Sequence, residues 1–447
     1  MSSDLQDLAD RIVALAQPGE EVEVYAARGV SMNVKAYHGE VESLTSAEST
    51  GVGIRVIRDH RQGFAHAGSL DEDVIREVLA DARDNATFGE PDEWFTLATP
   101  DGVAPVPQDL WSEELVAFPT EQKVEMALAL ERAVQGRDPR VTGVRTAVYG
   151  DSRGEAAIAS TAGLSVAWRG TYCSVSVSAL AVDGDETKIG GAADTGRRPE
   201  ELDLEQTAAD AVDRATRLFG GKPVPSQRLP VVFEPRLAAT IIGIVGGTLT
   251  GERVLKGRSP FADRRGESIA SPHLVLIDDP TDARSIGADL YDGEGLACRR
   301  NVLIDGGILG DFLQNSYTGR RSGTGSTGSA VRGYRSTPGV GCQALSIAPG
   351  ARGFEDIVRS IEHGFLIQSM TGLHSGVNSI SGDFSVGAEG LMIRDGEICE
   401  PVREVTIAST LQRLLLDIRE VGADLEWLPG GTGSATLVID DVSLSGT

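Results

Sequence analysis

Residues Gly150-Asp151-Ser152-Arg153-Gly154 spell G-x-S-x-G, the pattern that lifts a serine nucleophile onto a strained turn between a strand and a helix. The segment after it, EAAIASTAG, is short and ends in glycine, so the sequence predicts a turn joining two strands and no nucleophile at Ser152. Residues Gly323-Thr324-Gly325-Ser326-Thr327-Gly328 match G-x-G-x-x-G, which holds a dinucleotide only where a helix N-terminus comes after it to receive the pyrophosphate. The next residues, SAVRGYRSTPG, contain two glycines and a proline, and the lysine of a phosphate-binding loop is missing. A nucleotide site is therefore not expected. The same loop, Tyr317 to Pro338, carries Arg320, Arg321, Arg332 and Arg335, and guanidinium forks suit carboxylates and peptide carbonyls. It reads either as a solvated, mobile loop or as a binding surface.

The histidines are scattered. His38 and His60 sit in expected turns, and His363 is expected to end a helix, where the dipole favours a cation. His374, inside a Gly/Ser-rich segment, is the one placed to touch a substrate. Asp278 and Asp279 close an expected strand, but adjacent strand residues point to opposite faces and do not converge on one cation.

These residues need elements to hold them. Val22 to Ala67 alternates, with Val52, Ile54 and Val56 on one face, and predicts several antiparallel strands with turns at His38-Gly39 and Arg58 to Arg61. Ser69 and Glu72 are spaced as a capping box for a helix whose Val74, Ile75, Val78, Leu79 and Ala82 share one side. The order recurs: strands over Val141 to Ala193 with a turn at Asp183-Gly184, then a helix over Leu204 to Phe219 stopped by glycines. Residues 1–221 thus read as an N-terminal region of two similar strand-meander-plus-helix units, about 20–88 and 140–221. A connector over 89–139 joins them, Pro-rich to Pro119 and then helical over Glu121 to Gly136. The segment KPVPSQRLP, 222–230, marks the boundary to a C-terminal domain, 222–447. There a helix is expected at Leu237 to Leu249, with others at Phe354 to Glu362 and Leu411 to Glu420. Strands are expected at His273 to Ile277, Val302 to Ile304 and Thr436 to Val442. The pair Asp395-Gly396 between Leu391–Ile393 and Ile398–Val402 predicts a hairpin with a tight two-residue turn. The fold class expected is α+β, with a glycine-rich antiparallel β domain and a few helices at the C-terminal end.

The chain has 447 residues, 41 basic against 66 acidic, for a net charge of −25. Such a field repels nucleic-acid backbones and anionic lipid, so neither nucleic acid nor membrane is an expected partner. No apolar run approaches the roughly 20 residues that span a bilayer. Asp4, Asp7 and Asp10 stand where a secretion signal would be basic and then apolar. Cys173, Cys298, Cys342 and Cys399 are widely spaced and read as reduced thiols, so a cytoplasmic location is expected.

SGVNSISGDFSVGAEG at 375–390, PVREVTIA at 401–408, GADLEW at 422–427, VLKGRSPF at 254–261 and GVGIRV at 51–56 together resemble the TldD/PmbA family. These are cytosolic metallopeptidases once called modulators of DNA gyrase, and the likeness is to the PmbA/TldE member. In the zinc-bearing TldD subunit, by that resemblance, a helix carries H-E-x-x-x-H, two imidazoles about one turn apart beside a glutamate base. A helix stands in the right place here, yet Gly243, Ile244 and Thr248 fall where those residues belong. The implied third ligand, a cysteine near the C-terminus, is also missing, since the last cysteine is Cys399. The resemblance thus implies a subunit without a metal or other cofactor of its own, and without catalytic residues. Its expected partner is a TldD-like subunit that carries the zinc, and the substrates are unfolded or extended peptides. Arg258, Arg320, Arg321, His374, Ser381, Asp383, Phe384 and Ser385 are the candidate peptide contacts. A self-associating peptide-binding protein without a catalytic partner is the alternative, and catalysis by this chain alone a third. The isolated chain is compatible with a homodimer.

Overall fold

The computed structural model describes residues 2–446. Helix α1 (Ser2–Val13) leads into strands β1 (Glu21–Tyr37), β2 (Glu40–Arg58) and β3 (Arg61–Ala67), followed by α2 (Glu72–Phe88). After the connector and the short α3 (Glu113–Ala117), the order repeats. Helix α4 (Thr120–Val134) leads into β4 (Val141–Ser160), β5 (Ser165–Asp183), β6 (Glu186–Gly196) and α5 (Leu204–Thr216). The two units do not stand apart. β1 pairs antiparallel with β4, giving one six-stranded sheet in the order β3-β2-β1-β4-β5-β6. Equivalent strands meet at the centre, as they do across a two-fold axis.

One packing detail is duplicated. Gly63 on β3 lies so close to α2 that a Cβ there would sit 2.0 Å from the Ala82 carbonyl oxygen. Gly190 on β6 lies in the same way 2.1 Å from that of Ala211 on α5. Only glycine allows this approach. Gly190→Ala is accordingly expected to cost about 2 kcal/mol in urea unfolding. Gly191→Ala, whose Cβ would meet nothing closer than 3.8 Å, serves as the control. Equal losses in the two variants would show that α5 shifts away freely.

The turns agree with the sequence. His38, Asp59, His60 and Asp395 all adopt positive φ, as tight hairpin turns demand. The cap of α2 differs from expectation. Asp71 accepts the Asp73 amide, while Ser69 Oγ accepts that of Asp71, so the cap falls two residues later. Asp caps as well as Ser.

Along β1, Val22, Val24, Val34 and Ala36 are buried on the face that α1, α2, α4 and α5 cover, whereas Glu23 and Tyr25 turn to the opposite face. That second face meets the C-terminal half. Tyr334 lies over Gly51 and Gly53, where a Cβ would come within 2.3 Å and 2.2 Å of it. β3 pairs only with Val52–Arg58 of β2, so residues 40–50 form an open, fully exposed edge.

The C-terminal half begins with β7 (Gln227–Phe233), α6 (Pro235–Thr248) and α7 (Gly251–Leu255). Then come β8 (Leu276–Asp278), β9 (Asn301–Asp305), β10 (Ile308–Leu309), α8 (Ser316–Ser322), β11 (Ala330–Val331), β12 (Gly339–Val340), β13 (Leu345–Ile347) and α9 (Phe354–Arg359). The last stretch holds β14 (His363–Thr371), α10 (Leu373–Gly376), β15 (Asp383–Arg394), β16 (Glu397–Thr410), α11 (Leu411–Leu416), β17 (Ile418–Val421), β18 (Glu426–Trp427), β19 (Gly433–Ser434) and β20 (Leu437–Ser445).

One sheet runs β16-β15-β14-β7-β20-β17, and β16 also pairs with β20, so five of its strands close into a ring. A second sheet runs β10-β9-β8-β13-β19-β18. The domain is mostly antiparallel, as expected, with two parallel pairings, β7 with β14 and β13 with β19. The crossover that the β7–β14 parallel pair requires starts with α6 and runs on through β8 to β13, and the apolar residues of α6 share one core with both sheets. Two local expectations change. α9 stops at Arg359, so His363 opens β14 instead of ending a helix. α11 stops at Leu416, and Ile418–Val421 is a strand. The fold class is α+β, as the sequence predicts. No helix among the described residues is long and apolar enough to cross a membrane.

Candidate functional site

Helix α6 starts with Pro235 in its first turn, where the missing N–H is harmless. Leu237, Ala238, Ile241, Ile242 and Val245 fix one face in the core. Gly246 lets Leu345 and Cys342 approach to where a Cβ would stand only 2.6 and 3.0 Å from them. The opposite face is bare. Gly243 and Gly247 are exposed, with nothing within 4 Å of a Cβ.

A zinc ion does not fit the side chains here. Gly243 has no side chain, Ile244 offers only hydrocarbon, and Thr248 is 1 % exposed with its hydroxyl donating to the Val245 carbonyl at 2.6 Å. Among the described residues, no three His, Cys, Asp or Glu side chains gather to hold an ion.

The candidate contacts fall into two places. Thr250 caps α7 by accepting the Arg253 amide, and the chain then turns through Gly257 at positive φ into exposed Arg258. Leu255 and Lys256 line a cavity of about 390 Å³ with Phe95, Tyr317 and Arg321. Arg321 donates to the Tyr317 hydroxyl at 2.8 Å and lies over its ring, leaving its charge at the surface. The second place is the segment after β14. His374, Ser381, Asp383 and Ser385 are exposed there. The turn is held by the Asn378 side chain, which accepts the Ile380 and Ser381 amides, and by the Ser381 hydroxyl, which donates to Asp383 at 2.6 Å.

Three expectations are corrected. Phe384 is 2 % exposed and packs in the core, because β15 alternates and sends Phe384 and Val386 inward while Ser385 faces out. It is not available to a peptide. Arg320 stands on α8, not in a loop, and donates to the carbonyls of Thr96 at 2.6 Å, Trp94 at 3.3 Å and Leu97 at 3.4 Å. Its guanidinium ties the connector down instead of facing outward. Gly150 to Gly154 form neither an elbow nor a turn. They lie in the middle of β4, with Ser152 paired to Ser31 and Tyr172. The glycine-rich loop at 323–328 comes after helix α8 and leads into β11, with no helix behind it.

Asp278 and Asp279 point apart. Asp279 accepts the Thr281 amide, whereas Asp278 is fully buried on β8 and receives the Gln343 and Ala344 amides, each at 2.8 Å, on one oxygen. Its other oxygen has no partner. Burial pushes the carboxyl up to about 6, against the pull of the two amides. The folded state therefore keeps a proton that the unfolded chain has already released near pH 4. This contribution to stability is complete below pH 4 and is lost as pH rises through 6, in total about 3 kcal/mol. Asp278→Asn should flatten that slope in urea unfolding measured between pH 4 and pH 7. An unchanged slope would mean that Asp278 ionises freely.

Sequence reasoning missed a buried charge cluster at the junction of the two halves. Glu23 of β1 receives Arg55 of β2 through both oxygens, at 3.2 and 3.0 Å, and Arg332 from the C-terminal half at 2.8 Å. Glu294 stands 3.7 Å from Arg55 and accepts the Ser316 amide at 2.7 Å. All four side chains are at most 5 % exposed. Burial pushes the Glu23 carboxyl up, but the Arg332 and Arg55 charges with their hydrogen bonds outweigh it and hold it below the ordinary carboxylate value. No pattern in the strand sequence distinguishes Glu23 or Arg55 from a solvent-facing residue.

Family models of the PmbA/TldA metallopeptidases match the chain in three parts: domain 1 at residues 22–86, the central domain at 113–219 and the C-terminal domain at 226–446. Metalloprotease PmbA of Escherichia coli O157:H7 is 27% identical, covering 91% of this chain and 88% of its own length. A metalloprotease of Methanothermobacter thermautotrophicus is 25% identical, covering 100% and 98%. Among solved structures, TldE from Thermococcus kodakarensis superposes with a TM-score of 0.89 at 25% identity, covering 99% of both chains. A candidate modulator of a DNA gyrase from Thermotoga maritima reaches 0.90 at 25% identity, covering 98% of this chain and 100% of its own. With all three domains matched in order and the fold shared from end to end, the chain belongs to the PmbA/TldD metallopeptidase family.

Proposed function

We propose that this chain is a non-catalytic, PmbA/TldE-like subunit of a heterodimeric cytosolic zinc peptidase that acts on unfolded or extended peptides. The partner, a TldD-like chain, supplies the zinc, the activated water and the base, and this chain supplies walls and peptide contacts. The observation that carries the reading is α6: a helix of the family fold whose Gly243, Ile244 and Thr248 offer an ion no donor. Arg258, Arg321, His374, Ser381, Asp383 and Ser385 are the exposed or half-exposed groups left to meet a peptide.

Co-expression with an H-E-x-x-x-H homologue, followed by sizing and metal analysis, tests this. One zinc per heterodimer is expected, with none in this chain alone and turnover of a denatured peptide only in the complex. A transition metal held tightly by the lone chain, with matching turnover, would overturn it.

A second reading, a self-associating peptide-binding protein without a catalytic partner, draws on the open edge of β2, where two copies can join by strand addition. Turnover that appears only on adding the zinc-bearing homologue decides against it.

A further inference from the structure

Between the second N-terminal unit and the C-terminal half lies a cavity of about 330 Å³, walled by β6 and α5 on one side and by α6, β14 and β15 on the other. Gln368 lines it. This side chain is 4 % exposed, and neither its Oε1 nor its Nε2 has a hydrogen-bond partner. A buried amide left without partners is rare in folded proteins and points to a missing one. The backbone has been shaped to place it. Ile367 pairs with Gly390 and Ser369 with Glu389, so Gln368 is the extra residue of a β-bulge, the device that re-aims a side chain beside a site.

Arg236 of α6 lines the same cavity. Its Nη2 donates to the Gln368 carbonyl at 2.9 Å, and its buried Nε has no partner. Two more cations complete the wall. Arg214 is held by the Gly191 carbonyl and Asp210, and Lys188 by Glu389 at 3.0 Å. Among the residues that line the cavity, these three cations face one carboxylate, Glu389, in a chain whose net charge is −25. Met370 and Leu373, both half-buried, add an apolar margin.

The ligand that satisfies these groups carries a carboxylate for the guanidinium, an amide N–H for Gln368 Oε1, an acceptor for its Nε2 and an apolar side chain. We propose that the cavity receives the carboxyl-terminal residue of a peptide, with an apolar side chain preferred. A free amino acid suits it less, since its ammonium replaces the amide N–H and meets three cations against one carboxylate, Glu389, that Lys188 already holds. The inference rests on the reading of this chain as one that handles peptides. It assigns the orientation in which a peptide enters.

The test is titration of the full chain with N-acetyl-Ala-Leu as the free acid and as the C-terminal amide. The acid is expected to bind at least tenfold more tightly than the amide. Gln368→Met should weaken the acid at least tenfold while leaving the melting temperature of the unliganded protein unchanged or higher, because the lost amide had no partner. Arg214→Gln should weaken the acid and leave the amide as it was. Equal binding of acid and amide, binding of neither, or a Gln368→Met variant with unchanged affinity would each overturn the proposal. An active zinc heterodimer is compatible with all three of those results, and acid-selective binding is compatible with no heterodimer forming, so the two readings fail separately.

Discussion

Replacing Glu23 by alanine is expected to lower the unfolding free energy by about 3–5 kcal/mol, because it leaves Arg332 buried without its counter-charge and Arg55 with only Glu294, 3.7 Å away. Arg55 and Arg332 cannot recover by turning to water. Their side chains are 5 % and 1 % exposed, and Arg332 is further fixed over the Tyr25 ring with its centre 4.9 Å from the ring centroid. The loss should fall on the contact between the halves, since Glu23 and Arg55 belong to the N-terminal sheet while Arg332 and Glu294 come from the C-terminal half. Urea unfolding read by tryptophan fluorescence measures it. Arg264→Ala, which removes a surface pair with Glu267, provides the scale of an exposed ion pair at no more than about 1 kcal/mol. If Glu23→Ala costs no more than Arg264→Ala, water reaches the cluster and it does not hold the halves together.

Building H-E-x-x-x-H into α6 is expected to fail, and to fail at one residue. In the triple variant Gly243→His, Ile244→Glu, Thr248→His, the first side chain has room, since Gly243 faces open space, and the second gives up the packing of a half-buried Ile244 against the core. Thr248 has no room. It is 1 % exposed at the end of the helix, so an imidazole there must displace core atoms and leaves its own nitrogens unsatisfied. The cost is about 3 kcal/mol from overpacking together with a buried unpaired polar group. The purified triple variant should carry less than about one zinc per ten chains and melt well below the parent, whereas Gly243→His with Ile244→Glu should lose only the smaller cost of the Ile244 packing. Stoichiometric zinc in the triple variant, with an unchanged melting temperature, would show that the helix is only one step of side-chain chemistry away from a metal site.

The sequence carries the local plan because local rules decide it. Period-two alternation marks the meanders, Asp395-Gly396 its hairpin, and the recurrence of three strands and a helix reflects a repeated packing problem that the Gly63 and Gly190 contacts solve alike. What a single chain does not display is where distant segments meet. The parallel pairing of β7 with β14, the closure of β16 on β20 and the burial of Glu23 all depend on partners far along the chain. Arg320 and Phe384 show the same limit at the candidate site. Each sits in a segment with the right composition for binding, and each is claimed by an intramolecular neighbour that only the folded chain reveals.

The uncovered stretch of β2 has a further result for handling the protein. A row of amide and carbonyl groups with no neighbour is a template on which a foreign strand can polymerise. Here Glu40, Glu42 and Glu48 stud that row, Glu42 beside Lys35, and these like charges oppose unlimited edge-to-edge stacking while leaving room for a single complementary strand. Replacing all three by glutamine removes the deterrent, so fibrous precipitation should begin along this border while the cores beneath it remain intact.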